Sequence, residues 1–228
     1  MAILETHHLS RRYGSLVALD DLNLKVEAGE CFGFIGPNGA GKTTTIKILA
    51  TLLKPSSGEA RVCGFTVGWQ NTHIRPLIGY VPDFLGAYDD MLVREYLQFF
   101  ASCYGITGSR RTQVVDDALS LTDLGGKAEA PISGLSRGMS QRLAVARVLL
   151  HDPEVLLLDE PASGLDPRAR VEMRELLRTL RDLGKTILIS SHILHELAEL
   201  CTSVGILERG KLVFAGSVQS ALDAARSG

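Results

Sequence analysis

Residues 3–7, 18–26 and 58–63 read as strands with turn-forming residues between them, and apolar and polar positions alternate with a period of two over 22–26 and 59–62. Such alternation predicts half-buried strands, one face on a core and the other in water. A second pattern runs through residues 30–35, 78–81, 155–158 and 186–190, where apolar and small residues follow one another with little interruption. Short continuous runs of this kind predict strands covered on both faces, as in parallel sheets. Residues 42–52, 168–183 and 195–201 carry helical patterns, and the resulting alternation predicts parallel strands joined by helical crossovers. Residues 204–207 and 212–214, around Glu208-Arg209-Gly210-Lys211, predict a hairpin, followed by a short helix over 219–225.

Between about residues 84 and 150 the period is helical throughout. Leu92, Tyr96, Phe99, Phe100 and Cys103 fall on one predicted face, a second helix follows over 111–121, and a third begins near Met139. The expectation is an α/β fold in one domain of 228 residues: a mixed-sheet core with an antiparallel β edge, about 1–83 and 151–228, and an inserted α-helical subdomain, about 84–150.

The connection after the strand at 30–35 reads Gly36-Pro37-Asn38-Gly39-Ala40-Gly41-Lys42-Thr43-Thr44 and fits the phosphate-binding pattern G-x-x-x-x-G-K-[ST]. Glycines let successive backbone N–H groups face phosphate oxygens, and the following helix points its positive end at them. Lys42 is placed to reach the β and γ phosphates and Thr43 to hold Mg²⁺. The strand at 155–158 ends in Asp159-Glu160-Pro161, and ligands of parallel sheets gather at such carboxyl ends. Asp159 is the candidate Mg²⁺ ligand and Glu160 the group that orients or deprotonates an attacking water. By itself, an acidic pair of this kind also serves simply to cap a buried strand.

With these motifs in place, the chain resembles the ATP-binding subunits of ATP-binding-cassette (ABC) transporters over nearly its whole length. Tyr13 matches the aromatic that stacks on adenine, 36–43 the Walker A loop, and 155–160 Walker B. Leu135-Ser136-Arg137-Gly138-Met139 matches the signature, Ser163-Gly164-Leu165-Asp166 the D-loop, and His192 the switch histidine. The resemblance implies a P-loop NTPase fold of the ABC-ATPase type, with ATP and Mg²⁺ as ligands. It also implies two subunits facing head to tail, so that the signature of one closes over ATP held by the other. Taken without it, Tyr13 reads as cover for a sheet edge and His192 as a satisfied histidine at a strand end. Asp166 before Pro167 reads as a helix N-cap.

The chain departs from the family pattern at two places. Pro82-Asp83 stands where most members have a glutamine, and Asp83 offers a carboxylate able to ligate Mg²⁺ or a bound water. The stretch Pro82-Asp83-Phe84 is similar to that of the ABC-2-type export branch. In the signature, Arg137 and Met139 replace the commonest Gly and Gln, which brings a positive charge to the interface.

Composition narrows the partners. With 45% hydrophobic residues, 22% charged residues and a net charge of −2, the chain lacks the basic excess of a general nucleic-acid binder. Its longest apolar runs fall far short of the roughly 20 residues that span a bilayer, and residues 1–5 show no secretion signal. A cytoplasmic subunit, peripheral on the inner face of the cell membrane through a separate transmembrane permease, is the expectation. No internal repeat supplies a second cassette, so a homodimer is expected to complete the sites. Cys31, Cys63, Cys103 and Cys201 are scattered in apolar neighbourhoods, which predicts packed, reduced thiols without a metal or disulfide. In the family a groove between the two lobes accepts a short helix of the permease, and Tyr88, Tyr96, Phe99, Phe100 and Tyr104 are candidates for its apolar lining, Tyr88 foremost. A soluble ABC ATPase without a permease is the alternative reading, and a P-loop kinase a more distant one.

Overall fold

The computed structural model describes residues 2–84, 86 and 90–227; Tyr88 lies outside them. The chain starts with two long antiparallel strands, β1 (Ala2–Tyr13) and β2 (Leu16–Glu27). Leu22, Leu24 and Val26 of β2 are buried while Asn23, Lys25 and Glu27 between them are exposed, as expected for a sheet wet on one face. β1 runs beyond the stretch at 3–7 because a pairing irregularity follows Thr6, and His8 takes a positive φ of 49° opposite Asp21 at 59°. The irregularity breaks the period and lets the strand continue in a new phase.

β3 (Cys31–Ile35) leads through the glycine-rich loop into α1 (Lys42–Leu49), and β4 (Ser57–Val62) and β5 (Phe65–Thr66) complete a four-stranded sheet in the order β2-β1-β4-β5. After a short helix the sequence did not reveal, α2 (Asn71–Ile74), strand β6 (Ile78–Val81) enters the second sheet. Three helices follow: α3 (Val93–Cys103), α4 (Gly108–Leu121) and α5 (Arg137–Leu149). The chain then returns through β7 (Val155–Leu158), α6 (Pro167–Asp182), β8 (Thr186–Ser191), α7 (Leu194–Ala198), β9 (Ser203–Glu208), β10 (Lys211–Ser217) and α8 (Val218–Ser227). The second sheet has six strands in the order β10-β9-β3-β8-β7-β6, parallel except for the β9–β10 hairpin.

Every residue of β3, β7 and β8 is buried, because this sheet separates two cores. Cys31, Ile35, Leu156, Leu158, Ile187 and Ile189 face the helical side. Phe32, Phe34, Val155, Leu157 and Leu188 face α1 and the antiparallel sheet. Period-two geometry thus distributes one apolar run between two layers.

Two expectations are corrected. The core face of α3 is Val93, Tyr96, Leu97 and Ala101, with Phe100 packed beside it, whereas Phe99 is 48% exposed and Cys103 is exposed. Leu92 lies outside the helix, bridged to Pro131, so the helical phase starts one residue later than the periodicity suggested. Cys103 therefore sits on the solvent side, away from the apolar neighbourhood expected of it. α5 begins at Arg137, two residues ahead of the anticipated start, because Ser136 caps it by accepting the Met139 N–H at 3.2 Å.

Candidate functional site

The loop of residues 36–43 leaves the carboxyl end of β3 at the centre of the six-stranded sheet and passes under the β9–β10 turn. Gly36 is required there, because a Cβ would stand 2.3 Å from the Leu207 carbonyl oxygen. The Ala40 N–H donates to Pro37 O at 3.1 Å, and the Ala40 carbonyl accepts the Gly210 N–H at 3.0 Å, which fixes the loop against that turn. Lys42 is buried, at 5% exposure, and its ammonium donates to Gly36 O at 2.6 Å and Pro37 O at 3.2 Å. Its third neighbour is Glu160 Oε1 at 3.2 Å.

β7 lies two strands away from β3, with β8 between them, and delivers the two carboxylates to the same end of the sheet. Asp159 Oδ1 accepts the Thr43 hydroxyl at 3.0 Å and the Ser190 hydroxyl at 2.9 Å. The Ser190 oxygen in turn accepts the Glu160 N–H at 2.9 Å. Glu160 adopts a positive φ of 50°, a conformation a glutamate holds only when its surroundings fix it. Its Oε2 is 2.9 Å from His192 Nδ1, in the segment that follows β8. Lys42, Glu160 and His192 thus form a continuous chain of contacts. Tyr80 on β6 is pushed up to about 12 by burial and, secondarily, by the negative charge of Asp159.

A pocket of about 230 Å³ opens over these groups, lined by Tyr13, Leu16, Val17, Ala18, residues 38–44 and Glu160. Tyr13 forms its outer wall, half-exposed, with the Arg11 guanidinium 4.7 Å from its ring centroid. The structure therefore brings together Tyr13, the glycine-rich loop, Asp159, Glu160 and His192.

The segment of residues 135–139 lies elsewhere in the subunit, against α6 and the loop after β7. Gly138 is buried beside Ala169, and Leu135 and Met139 pack against the helical core. Asp166 caps α6 by accepting the Ala169 N–H at 2.9 Å, as Pro167 suggested, and Leu165 is buried. The Ser163 N–H donates to Glu160 O at 3.0 Å, tying this loop to the glutamate. Arg137 approaches Asp83, with Nη2 3.6 Å from Oδ1, and the Asp83 carbonyl accepts the Gln141 side chain at 2.6 Å. Ser190 is the site residue whose role sequence reasoning missed. The available signal was a hydroxyl at the end of an apolar strand whose neighbour ends in two acids.

Residues 19–163 match the family model described as ABC transporter. Two relatives are each named Nod factor export ATP-binding protein I. That of Burkholderia pseudomallei (strain 1710b) is 40% identical over 224 residues, 98% of this chain and 74% of that protein. That of Paraburkholderia xenovorans (strain LB400) is 40% identical over 227 residues, 100% of this chain and 74% of that protein. Among solved structures, cbiO1 from Clostridium perfringens, described as part of the ABC transporter complex cbiONQ, superposes with a TM-score of 0.91 at 28% identity, covering 99% of this chain and 92% of that one. The glycine-rich loop and paired carboxylates on this fold, with these relatives, lead to one assignment: the chain belongs to the ABC transporter family, as one of its ATP-binding, ATP-hydrolysing subunits.

Proposed function

We propose that two copies of this chain bind ATP and Mg²⁺ between them, head to tail, and that their closing and reopening on hydrolysis drive a separate membrane permease in export. The observation that carries this reading is the contact chain from Lys42 through Glu160 to His192, beside the pocket lined by Tyr13 and the glycine-rich loop. Tyr13 stacks on adenine, and residues 36–44 surround the phosphates, with backbone N–H groups and Lys42 as donors. Thr43 and Asp159 fit Mg²⁺, since they place two hard oxygen donors 3.0 Å apart at the loop. When bound, the ion neutralises phosphate charge. Asp83, whose carboxylate is engaged by Arg137, is left out of that donor set.

Glu160 Oε1 lies 3.2 Å from the buried Lys42 ammonium and neutralises it. An arriving γ-phosphate takes over Lys42 and releases Glu160 Oε1 to orient the attacking water, while His192 holds Oε2 and fixes the carboxylate plane. Ser136 and Gly138, with the amino end of α5, act on the partner's nucleotide, and the D-loop of residues 163–166 carries the state of that nucleotide to Glu160.

Among the described residues no helix is long and apolar enough to cross a membrane, and the proposal assigns the membrane passage to a separate partner. A cleft of about 820 Å³ between the helical lobe and the core offers the docking place, with Tyr104, Ile106, Val114 and Leu121 on one wall and Leu183 and Lys185 on the other. There a short permease helix would hold the subunit on the inner face of the cell membrane. Export is the direction named for the relatives, and it is extended to this chain as part of the proposal. The test is Glu160→Gln: hydrolysis falls at least about a hundredfold, while ATP converts the protein to a dimer in light scattering. An unchanged turnover removes Glu160 from the mechanism. A pull-down from detergent-solubilised membranes that recovers only soluble proteins removes the permease.

A further inference from the structure

Asp83 and Arg137, at the two places where the sequence departs from the commonest family pattern, meet in the structure. Arg137 is the first residue of α5, in the helical lobe, between Ser136 and Gly138 of the signature. Asp83 follows β6 on the core side, two residues beyond Val81, whose carbonyl accepts the Asp159 N–H at 2.9 Å. The charged atoms lie 3.6 Å apart and both side chains are 56% exposed. The Arg137 guanidinium lies against Gly164 in the D-loop, where an added Cβ would come within 2.8 Å of its central carbon. One cation therefore joins the signature to the loop beside the nucleotide site, and a glycine in the D-loop leaves it room.

An exposed pair at this separation is weak and easily exchanged. A guanidinium between the capping Ser136 hydroxyl and a helix amino terminus suits a phosphate better than a lone carboxylate, because it can present paired N–H donors to a more highly charged acceptor in the closed interface. We propose that Arg137 is a shared cation: Asp83 holds it in the resting subunit, and on closure it passes to the γ-phosphate of ATP bound by the partner subunit. This inference rests on the head-to-tail dimer proposed above. It assigns Asp83 the part of a stand-in for that phosphate.

The experiment measures the ATP concentration at half-maximal dimerisation by light scattering, in the Glu160→Gln background, with thermal melts to verify folding. Adding Asp83→Asn frees the cation and lowers the midpoint, by up to about fivefold for an exposed pair. Adding Arg137→Gln removes the phosphate contact and raises the midpoint by roughly tenfold. The exchange Asp83→Arg with Arg137→Asp restores the pair but leaves an acid facing the phosphate, so its midpoint stays high. Shifts in the same direction for both single changes, with recovery in the exchange, would make the pair merely structural and overturn the proposal. A dimer indifferent to both changes overturns the handover alone. Absence of an ATP-dependent dimer in Glu160→Gln itself overturns the dimer and the handover together.

Discussion

The hydroxyl of Ser190 connects the two carboxylates of the site, and removing it gives a sharp test of how they are held. Ser190 is fully buried, donates to Asp159 Oδ1 at 2.9 Å and accepts the Glu160 N–H at 2.9 Å. In Ser190→Ala, Asp159 keeps the Thr43 hydroxyl at 3.0 Å, so that acceptor remains satisfied. The Glu160 amide does not, and an orphaned donor costs about 1–3 kcal/mol, with about 1 kcal/mol more for the hydrogen bond lost at Asp159. A loss of about 2–4 kcal/mol in a domain of this size lowers the melting temperature by roughly 5–15 °C. A catalytic effect should accompany the stability effect, because the positive φ of Glu160 loses one of its two backbone restraints, leaving the turn to Ser163. Turnover is expected to fall roughly 10- to 100-fold while the KM for ATP moves less than about threefold, since the residues proposed to grip the phosphates are untouched. Steady-state ATPase kinetics and a thermal melt measure both. Ser191→Ala is the control, because that hydroxyl serves Glu196 and the Ile193 N–H and touches neither carboxylate. The reasoning fails if Ser190→Ala keeps its parent kcat, or if its KM rises as much as its kcat falls.

Two further outcomes follow from the geometry. Gly36→Ala forces a Cβ toward the Leu207 carbonyl, 2.3 Å away, and should abolish binding of a fluorescent ATP analogue with a stability loss of about 1–3 kcal/mol; normal binding would show that the loop relaxes freely. His151 is held below its usual 6.5, chiefly by burial. Its Nε2 lies 3.0 Å from Ile78 O, its buried Nδ1 has no hydrogen-bond partner among the described residues and its ring stacks on Tyr104 at 4.2 Å. The unfolded chain therefore takes up the proton first: this contribution is fully present above pH 6.5 and is lost as pH falls through that value toward the folded pKa. Urea midpoints at about pH 7.5 and 5.5 should differ less in His151→Phe than in the parent, and equal differences would refute the assignment.

The parts of the fold legible in the sequence are those whose signal is local and whose environment is uniform. β3, β7 and β8 are buried on both faces, so apolar runs marked them almost to the residue. The latter half of β1 was hidden by the irregularity at His8, and the phase of α3 by the bridge from Leu92 to Pro131, a contact no window of sequence contains. The site divides the same way. The glycine-rich loop is a contiguous motif whose geometry its own residues impose. The role of Ser190 arises from register: Leu158 pairs with Ile189, which sets the next residues, Asp159 and Ser190, side by side.

Asp83 and Arg137 show why departures from a family pattern are better read in pairs. Considered alone, a carboxylate at position 83 stands close to where the phosphates of ATP are proposed to bind and would repel them, and its only evident use is to hold a metal. Considered alone, an arginine at the start of α5 adds a positive charge where the helix dipole is already positive, an unfavourable arrangement in a resting subunit. Placed 3.6 Å apart, the two charges offset one another until a phosphate takes the cation. The acid is neutralised while the nucleotide is absent, and the cation has a partner until a phosphate displaces it. The two departures therefore act as a unit with opposite signs: loss of the acid should ease ATP-dependent closure, loss of the cation should hinder it, and exchanging the two charges should not restore it.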